Sequence, residues 1–209
     1  MSFLFFVESM KFGSKKDMKN IVVINGHPKS KSLNTSIAEA YLKGAKKAGA
    51  SVDEIVIAKL NFDPNLSSGY GGAQDWEPDL LEAWLKIEKA DHLVWVHPLW
   101  WGGIPAIMKG FIDRFFLPGK AFKYPENSVW WDKLLKGKSA LILTTSDQPL
   151  WYYRLINKRP SVNSLKRMTL QFSGVNPVKV KMFSPIRTKD KVGIEKILEK
   201  TYDLGLKLK

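Results

Sequence analysis

Five short apolar runs recur along the chain, each closed by a polar or glycine-containing segment. The first is residues 21–24, Ile-Val-Val-Ile, ended by Asn25 and Gly26; the others lie at 52–58, 93–96, 139–144 and 175–182. Runs of this length, rich in β-branched residues, suit strands of a parallel sheet buried on both faces. Between them, apolar residues repeat at helical spacing. Ile37, Tyr41, Ala45 and Ala48 form one such face, behind the capping-box pattern Ser36-Ile37-Ala38-Glu39 and ahead of Gly49 as a stop. Leu80, Leu81, Trp84 and Ile87 mark a helix over 79–89, and 104–116 is a third, with Pro105 in its first turn. A fourth spans 162–172, where Gly174 can end it, and an amphipathic helix over 190–206 closes the chain. The long loop 61–77 and the aromatic-rich connection 122–136 fit neither period. Alternation of strand and helix predicts an α/β, doubly wound, five-stranded parallel sheet with helices on both faces. Such sheets bind ligands beyond the carboxyl ends of their strands. The loops after the first, third and fourth strands are therefore the places to look. Residues 1–19 read as a loose N-terminal extension of a domain that occupies 20–209.

Composition narrows the chemistry. The 209 residues contain no Cys, which removes disulfides, iron–sulfur ligation and a thiol nucleophile. His27, His92 and His97 have no metal-ligand spacing, so no metal site is expected. No apolar run approaches the ~18 residues of a membrane span, and the run 3–7 is shorter than a signal-peptide core of about 7–15 residues; a cytoplasmic protein without membrane insertion is expected. The net charge is +13, from 33 Lys plus Arg against 20 Asp plus Glu. Residues 150–191 carry ten of those cations and one acid, Asp190. That stretch reads either as a solvated basic face or as a patch attracting a phosphorylated ligand. Nucleic acid is not expected, because no helix-turn-helix, zinc finger or RNA-binding aromatic signature is present.

The three loops carry the candidate chemistry. Residues 26–34, Gly-His-Pro-Lys-Ser-Lys-Ser-Leu-Asn, leave a buried strand and enter a helix, offering hydroxyls, an amide and backbone N–H groups at a positive helix end. They lack both the Gly-x-Gly-x-x-Gly fingerprint and the Gly-Lys-Ser of a P-loop, so ATP is not the expected ligand. Residues 97–105, His-Pro-Leu-Trp-Trp-Gly-Gly-Ile-Pro, place two flat side chains beside free N–H groups, which suits a planar heterocycle. Thr144, Thr145, Ser146, Asp147 and Gln148 could bond the polar edge of the same ring.

Together these segments resemble the flavodoxin-like NAD(P)H:quinone oxidoreductases, the family of DT-diaphorase and of bacterial drug-modulator and potassium-efflux ancillary reductases. The resemblance rests on Asn25-Gly26-His27-Pro28 with Ser32-Leu33-Asn34, on Leu60-Asn61-Phe62-Asp63-Pro64, on 98–114 from Pro98 through Trp100-Trp101-Gly102-Gly103 to Asp113-Arg114, and on Thr144-Thr145. It implies a flavodoxin-like strand order 2-1-3-4-5 and a bound FMN or FAD. His27, Ser32, Leu33 and Asn34 would hold phosphate and ribityl. Pro98, Leu99, Trp100, Trp101 and Gly102 would line the isoalloxazine, and Thr144, Thr145, Ser146 and Asp147 its N1 and O2 edge. Tyr152 matches the ring-edge tyrosine of the family; Lys158 stands where the family has the tyrosine's partner histidine, and Ser146-Asp147 where it has Gly-Gly. These two, Tyr152 and Lys158, are the candidate catalytic pair. The implied reaction is ping-pong: NADPH or NADH reduces the flavin, then a flat quinone-like acceptor takes two electrons in the same slot. A homodimer would complete that slot, with Phe122, Tyr124, Trp130 and Trp131 as candidates for its wall or for the subunit contact. An electron-carrier flavodoxin and a flavin-binding regulatory module with little turnover are the alternatives.

Overall fold

The computed structural model describes residues 18–71 and 74–208; most of the expected N-terminal arm, residues 1–17, lies outside them. Its sheet contains β1 (Asn20–Asn25), β2 (Ser51–Val56), β3 (His92–Pro98), β6 (Ser139–Thr145) and β7 (Val178–Phe183). All pair in parallel, in the order β2-β1-β3-β6-β7. That is the expected 2-1-3-4-5, with β6 and β7 as fourth and fifth. A two-residue ribbon, β4 (Phe122–Lys123) against β5 (Asp132–Lys133), forms inside the aromatic connection.

Alternation along the strands divides the core in two. Val22, Ile24 and Trp95 face α2 (Pro78–Lys89) and α3 (Ala106–Phe115), where Phe111 and Phe115 stack at 4.4 Å between ring centroids. Ile21, Val23, Val94 and Val96 face α1 (Leu33–Lys47) and α6 (Lys191–Leu206). These two helices approach closely because Gly44 lies against the Tyr202 carbonyl and Gly205 against the Tyr41 carbonyl; a Cβ at either would collide with that backbone.

Several boundaries differ from the expectation. Helix α1 begins at Leu33, capped by Ser32 rather than Ser36. The Ser32 hydroxyl accepts from the Thr35 N–H at 3.2 Å, and buried Asn25 binds the Thr35 hydroxyl at 3.3 Å. Pro105 is the N-cap of α3, not a first-turn residue. The last strand starts at Val178, since Pro177 has no N–H to give a ladder. Residues 150–155 form an unexpected helix, α4 (Leu150–Leu155). The helix expected over 162–172 is a short α5 (Pro160–Asn163) followed by a π-helix, Ser164–Gln171. The Thr169 hydroxyl donates to the Ser164 carbonyl five residues back at 3.2 Å, matching the wide turn.

His92 and His97 are buried on β3, and burial pushes each down to about 4. The unfolded chain takes up protons at these positions below ~6.5, which the folded protein refuses until about pH 4. Their stabilising contribution is thus whole above pH 6.5 and is lost between pH 6.5 and 4. We expect the unfolding free energy to fall through this window, and His92→Asn to make that fall shallower. A flat profile between pH 6.5 and 5 would show that these histidines stay accessible to protons.

Candidate functional site

At the carboxyl ends of β1, β3 and β6, three loops enclose a cleft of about 210 Å³. Its walls are His27, Ser32, Leu33 and Asn34 from the first loop, Pro98, Leu99 and Trp100 from the second, and Thr145, Ser146 and Asp147 from the third, with Ile186 closing one end. Ten of the fifteen residues read from the sequence as site residues therefore converge. Trp101, Gly102, Thr144, Tyr152 and Lys158 do not line this cleft.

The first loop is organised from inside. Asn25 ends β1 fully buried, and its side-chain oxygen accepts from the His27 N–H at 3.1 Å. His27 Nδ1 accepts from the Lys29 N–H at 2.9 Å, so the neutral ring carries its proton on Nε2. Burial lowers the His27 pKa, the Lys29 N–H bond opposes this, and the Lys29 charge adds to it. Its ring meets Trp100 edge-on at 5.5 Å. Ser32 caps α1, which leaves the N–H groups of Leu33 and Asn34 without acceptors among the described residues. Aligned peptide dipoles make such a helix end attractive to an anion.

Asn34 is the most informative residue here. It is buried, and its side-chain oxygen accepts from the Thr145 hydroxyl at 3.1 Å. With the amide so placed, the Asn34 Nδ2 donor has no partner among the described residues. A buried donor without an acceptor costs on the order of 1–3 kcal/mol, so the site is arranged for an acceptor supplied from outside.

The second loop is a tight turn. Trp100 and Gly103 exchange both backbone hydrogen bonds, at 3.0 and 2.8 Å, and Trp101 and Gly102 between them take φ of 49° and 75°. Two positive φ values in succession define the mirror-image turn that glycine usually supplies. Trp100 is therefore turned onto the cleft, half exposed, while Trp101 is fully exposed to solvent. The turn uses the Trp100 N–H, leaving the N–H groups of Trp101 and Gly102 free among the described residues. The third loop is pinned to the end of β7: the Asp147 carboxylate accepts from the Arg187 N–H at 2.6 Å, and the Ser146 N–H donates to the Phe183 carbonyl. Asp147 thus caps a turn while remaining on the cleft rim.

Tyr152 and Lys158 lie apart from these walls. Tyr152 is on α4 and partly exposed, edge-on to Trp151 at 5.6 Å. Lys158 is exposed in a turn at φ 54°, its carbonyl accepting from the Asn163 amide at 2.7 Å. The neighbouring Tyr153, buried, accepts from the Val162 N–H at 3.2 Å and anchors that turn. Of the aromatic candidates in the connection, Trp131 stacks on Phe172 at 4.2 Å and is used in packing, whereas Trp130 is exposed. Phe122 and Tyr124 line a separate, mostly apolar cavity of about 500 Å³ between α3 and the π-helix.

Arg114 was legible in the sequence only as part of a motif. The structure buries it completely, where its guanidinium donates to the carbonyls of Asp63 and Asp75 and to the Glu77 carboxylate at 2.6–3.1 Å. It thereby ties the long 61–77 loop to α3.

With three loops at the carboxyl edge of a 2-1-3-4-5 sheet, this chain belongs to the flavodoxin-like fold family, whose profile matches residues 19–203. Over 130 residues it is 32% identical to an uncharacterised NAD(P)H oxidoreductase, YcaK, of Escherichia coli K12, covering 57% of this chain and 65% of that protein. It is 27% identical over 148 residues to ribosyldihydronicotinamide dehydrogenase (quinone) of Mus musculus, covering 61% of this chain and 63% of that protein. The matched span is just under two thirds of the length of each of these relatives. Among solved structures, Smu.1420 from Streptococcus mutans UA159 is similar with a TM-score of 0.76 at 27% identity, covering 90% of this chain and 98% of that one.

Proposed function

We propose that the chain is a flavin-dependent NAD(P)H oxidoreductase that delivers two electrons to flat, quinone-like acceptors. The observation that carries this reading is the buried, unpartnered Asn34 Nδ2 beside the free N–H groups of Leu33 and Asn34. Three donors at a helix N-terminus fit the terminal phosphate of FMN or the pyrophosphate of FAD. The names of the relatives, an NAD(P)H oxidoreductase and a quinone dehydrogenase, support the same class of reaction.

Flavin, when bound, supplies the capacity to accept a hydride and to pass on two electrons. The residues of the chain position it and set its surroundings. Ser32, Leu33 and Asn34 would hold the phosphate end, and His27 and Trp100 would form a wall for the ring. The free N–H groups of Trp101 and Gly102 and the hydroxyl of Ser146 are available to the ring's polar edge. Charge on Asp147 would oppose negative charge gathering near that edge, and its hydrogen bond from Arg187 moderates this.

The cleft, at about 210 Å³, is smaller than the ~300–1,000 Å³ of ordinary small-molecule pockets. It suits phosphate and ribityl, and the open lip at Trp100 would leave room for the ring. A second copy of the chain covers that lip in this reading. The exposed Trp101, Trp130, Trp151 and Tyr124 supply apolar surface for such a contact or for the acceptor.

The different settings of the two tryptophans give a direct test. Flavin emission should be quenched in the purified protein and partly restored in Trp100→Leu, with Trp101→Leu changing it little in comparison. Equal restoration in both variants, or in neither, would remove Trp100 from the ring's wall.

A further inference from the structure

Beside the edge strand β7 lies a concavity of about 270 Å³ that the flavin reading does not use. Arg154 of α4, Arg159 of the following turn, and Lys166 and Arg167 of the π-helix all line it. These cations come from three separate elements, so the charge is gathered by the fold and is not a property of one helix face. The ion pairs among the described residues are Lys86–Glu82, Lys109–Asp113 and Arg114–Glu77; none involves this group. Nor does any of the four side chains make a hydrogen bond to another described residue. No acid occurs in the sequence between Asp147 and Asp190.

We propose that this concavity binds a small organic phosphate, at a site separate from the cleft at the start of α1. Planar guanidinium groups match phosphate oxygens two bonds at a time, and a group of unpaired cations in a recess gains most from a multiply charged ligand. The remaining lining explains the organic part. Leu150, Val162, Val180 and Met182 contribute apolar surface, which an inorganic ion leaves uncovered and a carbon skeleton fills. Concavity favours a small molecule over a membrane or a nucleic-acid duplex, because a broad polyanion reaches the rim and not the floor.

One further feature agrees. Lys158 and Arg159 have φ of 54° and 57°, a left-handed pair that non-glycine residues rarely adopt and that is held by Tyr153 and Asn163. Lysines on an edge strand such as Lys179 and Lys181 also deter strand-to-strand association. That role does not extend to Arg154, Arg159, Lys166 and Arg167, which lie on helices and a turn.

The proposal is independent of the flavin reading and is tested without an activity assay. The full chain, as purified, is titrated calorimetrically at low salt with adenosine monophosphate, with inorganic phosphate and with adenosine. We expect saturable binding of adenosine monophosphate at one site per chain, weaker binding of phosphate and none of adenosine. Arg167→Gln and Lys166→Gln, both at or near the surface, should each weaken it by about tenfold while flavin content stays as in the wild type. Indifference of adenosine monophosphate binding to both substitutions would overturn the site, as would equal affinity for adenosine. Arg167-dependent binding of duplex DNA or of phosphatidylserine vesicles, without binding of adenosine monophosphate, would overturn it in favour of an extended polyanion.

Discussion

Asn34→Asp should strip the protein of flavin while leaving it folded. The substitution keeps the size of the side chain and the oxygen that accepts from Thr145. It replaces the free Nδ2 donor by a second carboxylate oxygen, in a buried position facing the proposed phosphate. One favourable hydrogen bond to a charged group, about 1.5–3 kcal/mol, is exchanged for a like-charge contact. Each 1.4 kcal/mol is tenfold in affinity, so a loss of about a hundredfold is the expected scale. Folding is protected because Asp near a helix N-terminus interacts well with the helix dipole. The flavin-to-protein ratio after desalting should fall to a small fraction of the wild-type value, with an unchanged circular dichroism spectrum. Retention of flavin in this variant would show that Asn34 does not face the phosphate.

Arg114→Met is expected to have the largest effect on stability. The guanidinium is fully buried and ties three points of the 61–77 loop to α3, while its partner Glu77 remains partly exposed. Removing one member of a buried pair costs about 3–5 kcal/mol, and the low end applies because Glu77 can regain water. For a chain of this size each kcal/mol is worth about 2–4 °C, so melting should drop by roughly 10 °C. The pH dependence adds a second readout. Burial alone would raise the Glu77 carboxyl, but hydrogen bonds from the Asp63 N–H and from Arg114 outweigh it and hold the carboxyl below its ordinary value. A depressed carboxylate stabilises above its unfolded pKa, and that contribution disappears as pH falls through the folded one. The gap between wild type and Arg114→Met should therefore narrow in acid. A melting point within 2 °C of wild type at neutral pH would contradict this account, given a cost of about 3 kcal/mol.

What the sequence made legible follows from locality. Residues 21–24 and 93–96 are apolar on both faces because their strands are covered on both, and that is visible one residue at a time. The Trp100-Trp101-Gly102-Gly103 turn is equally local, although which tryptophan faces inward depends on the positive φ at Trp101. The start of α1 was less legible. Of Ser32 and Ser36, only Ser36 begins a capping box in the sequence, and the start at Ser32 is set by Asn25 holding Thr35 from the strand below. Arg114 is the extreme case, since its partners Asp63, Asp75 and Glu77 lie 37–51 residues away in a loop without periodicity. The charge of 150–191 could be counted from the sequence, but the convergence of Arg154, Arg159, Lys166 and Arg167 needs the turn at Arg159 and the π-helix. Neither leaves a pattern in the order of residues.

Whether this site holds a flavin that exchanges electrons with a nicotinamide donor is decided by anaerobic stopped-flow. The purified flavin-loaded protein is mixed with NADPH and, separately, with NADH, and the visible flavin absorbance is followed. Rapid bleaching by at least one of the two donors, and recovery of the absorbance on adding a quinone, are expected. A flavin band that neither donor bleaches, or a protein that takes up no flavin, would contradict the proposed function.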